Sequence, residues 1–168
     1  MSRLIRFFDF KVSDSILLSD YLNQSKGIIL FFSPDLFSLS SKAILNELQE
    51  IYSDIRSEGW NIIGVSTSSL SIINTAINDY QLDFPIVFDL EGNISKRYLS
   101  LGTGLGNLPP MSTRKLYIIA NDKKIIKVYE STFDALNDKE SLYNYVSILK
   151  ENLINVTLDQ IEDETKIS

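Results

Sequence analysis

Residues 27–32 (GIILFF) form an unbroken apolar run that ends at Ser33 and Pro34. A run with no polar alternation reads as a central strand covered on both faces. From Ser41 onward, Ile44, Leu45, Leu48, Ile51, Tyr52 and Ile55 recur at helical spacing, with Lys42, Glu50, Asp54 and Glu58 largely on the opposite side. Gly59 is well placed to stop that helix. Residues 61–66 (NIIGVS) read as a second buried strand. Leu70, Ile73, Ala76, Ile77 and Tyr80 then predict a helix, residues 85–89 a third strand and residues 94–99 a short helix. Strands alternating with helices imply right-handed crossovers and a parallel portion of sheet.

The pattern then changes. Residues 113–119 and 124–129 flank Asn121, Asp122 and Lys123, which predicts a hairpin. Residues 137–140 (NDKE) resemble a capping box before a last helix carrying Leu142, Tyr145, Val146, Leu149 and Leu153. Residues 8–17 alternate around Ser13 and Asp14 and predict an N-terminal hairpin. The fold class is therefore α/β, a central mixed sheet flanked by helices. Its order resembles that of the thioredoxin fold, with an N-terminal hairpin and an inserted helix added. One domain is expected over residues 1–155, followed by an acidic, flexible tail over 156–168.

Composition narrows the chemistry. In 168 residues there are 16 basic and 22 acidic side chains, a net charge of −6, and no basic stretch, so neither nucleic acid nor an anionic membrane is expected as a partner. No segment approaches the ~20 apolar residues of a membrane span, and the first residues lack a secretory pattern, so a cytoplasmic protein is expected. Cysteine and histidine are both absent. That excludes disulfides, Cys/His zinc sites and every thiol- or imidazole-based nucleophile system. No metal or cofactor is expected. A Ser–Lys hydrolase would need Ser41 and Lys42 to face each other, which adjacent helical residues do not. Asp83, Asp89 and Glu91 lie at strand ends and turns and read as solvated surface. Gly102, Gly104 and Gly106 form no phosphate-binding motif and read as a loop.

Several segments are similar to peroxiredoxins of the alkyl hydroperoxide reductase/thiol-specific antioxidant type, nearest the bacterioferritin-comigratory branch. These are the turn at residues 18–22, the strand at 27–32, residues 64–67 (GVST), residues 84–89 (FPIVFD) and the strand that starts at Arg114. The resemblance covers about residues 8–150. That family's site pattern is Pro, three residues, Thr, two residues, Cys. Here Pro34 is followed by Ser38 at the Thr position and Ser41 at the Cys position, with Arg114 where the family keeps an arginine facing the sulfur. A shift of one would place Ser40 there, but the spacing from Pro34 favours Ser41. Ile44 departs from the pattern, because many members carry Glu or another polar group there. The loop before Arg114 contains Pro109 and Pro110, where thioredoxin folds often carry a cis-proline.

The resemblance implies a thiolate stabilised by the helix dipole and the guanidinium, which attacks a peroxide and becomes a sulfenic acid. Serine cannot follow that path. Its alcohol is weakly acidic, its oxygen is hard, and it has no sulfenic equivalent. Two readings follow, beside a third in which the matches are fortuitous and the chain is a structural thioredoxin-like domain. One is a peroxiredoxin-like protein inactive as a thiol peroxidase and retained as a binding or regulatory module. The other is an antioxidant thiol peroxidase whose Cys has been replaced by Ser. Partners compatible with either are a peroxide-like small ligand in a vestigial pocket, a protein, or a second copy in a homodimer.

Overall fold

The computed structural model describes residues 5–98, 100 and 114–130. The expected last helix, the acidic tail, the glycine loop at 102–106 and Pro109 and Pro110 lie outside the described residues, so the domain limits at 155 and 156 do too.

Chain order begins with a short antiparallel hairpin, β1 (Lys11–Ser13) and β2 (Ile16–Leu17), which turns through Asp14 and Ser15. The following segment, read from sequence as a turn, is helix α1 (Leu18–Asn23). It is short, but Leu18 and Leu22 stand one helical turn apart and both are buried, while the Asp20 carboxylate accepts from the Leu17 N–H at 2.8 Å. The succeeding elements are β3 (Gly27–Ser33), α2 (Leu39–Ser57), β4 (Trp60–Ser66), α3 (Leu70–Asp79), β5 (Ile86–Phe88), a 3-10 turn at Leu90–Gly92 and α4 (Asn93–Arg97). The hairpin β6 (Lys115–Ala120) and β7 (Ile125–Glu130) completes the described chain.

The five-stranded sheet runs β5-β4-β3-β6-β7. The strands β3, β4 and β5 are parallel, whereas β6 pairs antiparallel with β3 and β7 antiparallel with β6. The expected mixed sheet is therefore present. All seven residues of β3 and of β4 are buried, because helices or the N-terminal segment cover both faces. Alternation along β3 sorts the core into two halves. Ile29 and Phe31 pack with Ile44, Leu45, Leu48, Ile51 and Ile55 of α2 and with Ile73 and Ala76 of α3. Ile28, Leu30 and Phe32 face the other way, onto Phe10, Leu18, Leu22, Tyr98 and Tyr117.

Three further sequence expectations change. Helix α2 begins at Leu39 rather than Ser41, since Ser38 is its N-cap. Leu70 is an exposed residue at the start of α3 and adds nothing to the core, which Ile73 and Ala76 fill. Asp89 is buried, not solvated. Its carboxylate accepts from the Ile94 and Ser95 N–H groups at 2.7 and 2.8 Å and from the Ser95 hydroxyl at 2.6 Å, which ties the start of α4 to the end of β5. Among the described residues no helix is long and apolar enough to cross a membrane.

Candidate functional site

The C-terminal edge of a parallel sheet is where chain reversals expose polar groups and helix N-termini. Here β3 ends at Ser33, a loop of five residues from Pro34 to Ser38 turns the chain, and α2 runs back along the sheet. Ser38 adopts extended backbone angles (φ −62°, ψ 154°), and its hydroxyl accepts from the Ser41 N–H at 3.2 Å. This is an N-cap, and it places Ser41 in the first turn of α2. Ser38 therefore serves as a helix cap at the same position where the family pattern puts its Thr.

Arg114 reaches this turn through strand register. Pairing of β6 with β3 sets Lys115 opposite Phe32, so Arg114 arrives beside the end of β3. Leu116 and Ile118 lie on the α2 side of the sheet, and Arg114, two residues before Leu116, continues that alternation. Its Nη2 donates to the Ser41 Oγ at 2.6 Å. Ser41 is completely buried, whereas Ser40 and Arg114 are half-buried. Of the two neighbouring serines, Ser41 is the one the guanidinium reaches. Pro34, half-buried, opens the loop directly after β3.

Two polar groups that sequence reasoning overlooked complete the cluster. Ser33, the last residue of β3, donates its hydroxyl to the Asp35 carbonyl, and its Oγ lies 3.4 Å from the Ser41 Oγ. Asp35 Oδ1 accepts from the Ser38 N–H at 3.0 Å. Partial burial acts to raise the Asp35 pKa. Hydrogen bonds from the Ser38 side chain and backbone and from Ser41, together with the Arg114 charge, outweigh it and hold the carboxyl below its ordinary value. The loop is also tethered from outside, where the Tyr80 hydroxyl donates to the Leu36 carbonyl at 2.9 Å and the Phe37 ring lies 5.6 Å from the Tyr80 ring. The alternation along β3 signalled Ser33 on the α2 side, and Asp35 could have been suspected as an acidic residue beside a helix cap.

The arrangement holds no group among the described residues that would activate Ser41 for reaction. Ser41 has one proton, and Ser33 has already given its own to a carbonyl. Asp35 is too weak a base to deprotonate an alcohol, the more so with its pKa depressed. Ile44, one turn along α2, is buried in the core between α2 and the sheet, so it adds no polar group to this cluster. Among the described residues no group of carboxylates is placed to hold a metal ion.

A family model described as the AhpC/TSA family matches residues 6–128. No curated protein sequence matches the chain. Among solved structures, peroxidoxin BcpB from Mycobacterium tuberculosis superposes with a TM-score of 0.69 at 19% identity, covering 85% of this chain and 94% of that one. A Cys-to-Ser mutant of Xylella fastidiosa PrxQ gives 0.66 at 17% identity, covering 83% and 86%. Reduced Prx3 from Vibrio vulnificus in complex with hydrogen peroxide gives 0.58 at 19% identity, covering 73% and 80%. At these identities the likeness shows a shared fold, the thioredoxin-like fold of these proteins.

Proposed function

The chain belongs to the AhpC/TSA family, and on that premise we propose that it is a member without the peroxidatic sulfur, silent as a thiol peroxidase in this form and kept as a binding or regulatory module. The observation that carries the reading is the 2.6 Å hydrogen bond from Arg114 to a fully buried Ser41, in a chain that contains no cysteine. Reduction of a peroxide removes two electrons from the attacking atom as the O–O bond breaks. Sulfur accepts that loss by becoming a sulfenic acid. A serine oxygen has no corresponding state, so the step has no electron source here.

What remains is recognition. The Arg114 guanidinium, the Ser41 hydroxyl and the Ser38 cap gather donors and acceptors at the start of α2. A peroxide-like ligand, small and able both to donate and to accept hydrogen bonds, suits that set. A protein partner or a second copy of the chain is the other class of occupant, and the oligomeric state in solution tests the second copy.

The test compares the chain with its Ser41→Cys variant in a peroxide-consumption assay with a dithiol reductant. The expected result is no consumption by the cysteine-free chain above the reductant blank. Turnover by that chain would falsify the reading. Ligand recognition is followed separately, as amide shifts of Ser41 and Arg114 during titration with hydrogen peroxide. Unmoved amides would remove the small-ligand half of the proposal.

A second reading is favoured by the same intact contact. A working peroxidase whose Cys had been exchanged for Ser would keep Pro34, Ser38 and Arg114 in place. Ile44 argues against it, because an exchange at position 41 alone leaves that apolar residue unexplained. The codon at position 41 of the parental gene separates the two.

A further inference from the structure

Arg114 carries a full positive charge to a half-buried place beside Ser41. A thiolate at position 41 would balance that charge, and a serine hydroxyl does not. Among the described residues, the carboxylate hydrogen-bonded within this turn is that of Asp35. Its backbone is fixed twice, by the proline before it and by the Ser33 hydroxyl on its carbonyl. Its carboxylate is fixed by the Ser38 N–H at 3.0 Å. From there one residue separates it from Ser41, since the same Ser38 caps the Ser41 N–H at 3.2 Å and the Ser41 Oγ takes the Arg114 bond at 2.6 Å.

We infer that Asp35 is the resident counter-charge of this pocket, standing in for the negative charge that a thiolate would bring to position 41. The pocket is then electrically balanced with serine in place, and it draws neutral hydroxylic molecules rather than anions. The inference rests on the reading that position 41 and Arg114 share one pocket, and it goes further by giving Asp35 a role in that pocket. Among the described residues, the other charged or titratable groups around the turn are Lys42 and Asp79, both exposed, and Tyr80 and Lys115, both half-buried. Of these, Tyr80 shares its surroundings with both Asp79 and Asp35, whose charges act together with burial to raise its pKa.

A thiol installed at position 41 reports on this balance directly. The helix N-terminus and Arg114 favour its thiolate, and a neighbouring carboxylate opposes it. Because the chain has no cysteine, Ser41→Cys creates a single titrating thiol, read by its ultraviolet thiolate absorbance. Adding Asp35→Asn, which keeps an oxygen for the Ser38 N–H, is expected to lower the thiol pKa by about one unit. A change within the error of the titration would overturn the assignment. Adding Arg114→Met instead is expected to raise it. If that variant leaves the thiol unchanged, the shared pocket itself fails, independently of Asp35. A second measurement needs only the Ser41→Cys protein, in the event that the double variant does not fold. Its alkylation rates with iodoacetate and iodoacetamide are compared with those of free cysteine. A balanced pocket gives no preference for the anionic reagent, and a roughly tenfold preference for iodoacetate would contradict a resident counter-charge.

Discussion

The contact between Ser41 and Arg114 has a measurable energy. At 2.6 Å the Nη2–Oγ bond is short for a nitrogen donor, and its donor is charged. Hydrogen bonds to charged groups contribute about 1.5–3 kcal/mol when the site is closed to water. Ser41 is completely buried, but Arg114 is only half-buried, so water can take over part of its hydration when the hydroxyl is removed. That places the expected value near the bottom of the range, at about 1–2 kcal/mol. The Ser33 contact adds little, because 3.4 Å exceeds the usual distance between two hydroxyl oxygens.

Single substitutions do not isolate this term, because Arg114 makes contacts beyond Ser41. A double-mutant cycle does. The four proteins are the parent, Ser41→Ala, Arg114→Met and the pair, and their stabilities come from urea unfolding at neutral pH with the slope checked for constancy. The expected coupling is the same 1–2 kcal/mol (about, on the scale of a charged hydrogen bond). Stability changes that add to within ~0.5 kcal/mol mean that the two side chains do not interact, and the pocket derived from their contact is then wrong.

Asp35 has a folded pKa below its unfolded one, so its carboxylate stabilises the chain above the ordinary aspartate value of about 3.9 and loses that contribution as pH falls through the lower folded value. Because the group is only partly buried and water screens it, the stability gap between the parent and Asp35→Asn should be under ~1 kcal/mol at neutral pH and should close in strong acid; a gap unchanged by acid refutes the assignment. Ser38→Ala removes the cap on α2 and should cost about 1 kcal/mol, with Ser38→Thr recovering most of it in thermal unfolding. A neutral Ser38→Ala would mean that the cap is idle. Gly27→Ala should destabilise by ~3 kcal/mol or more, since its Cβ would run into the Trp60 ring and the Ile119 carbonyl, and the carbonyl belongs to a paired strand. An unchanged unfolding midpoint would show that the sheet can yield there.

Legibility in the sequence follows from how local each signal is. Strands β3 and β4 announce themselves because burial on both faces leaves continuous apolar runs. The body of α2 is legible from its buried stripe, and its stop from Gly59, which adopts φ +89° after the last turn. Its start is less legible, because Leu39 is apolar yet exposed and the true boundary is a hydroxyl cap. Helix α1 was hidden by length, since six residues hold barely more than one period. Asp89 was misplaced because its three partners are hydrogen-bond donors on the next helix rather than opposite charges. The meeting of Ser41 with Arg114 is not written in any local pattern. It became visible through the family resemblance, and afterwards through the register of β6 on β3.

That register has a further consequence. Ser41 is placed by the Ser38 cap and by the packing of Ile44, Leu45 and Leu48 onto the sheet. Arg114 is placed by the pairing of Lys115 with Phe32 and by strand alternation. Neither device uses sulfur, so the pocket keeps its shape whether or not residue 41 can react. Geometry and chemistry are therefore separable in this fold: the backbone decides where the side-chain atom of residue 41 sits, and the element at that atom decides whether a sulfenic state is open to it. The electrostatic balance belongs to neither. On the inference drawn above it depends on Asp35, in a loop whose sequence the sheet does not dictate. On that inference, a peroxidase at this site requires more than exchanging oxygen for sulfur, because a carboxylate beside residue 41 opposes a thiolate there.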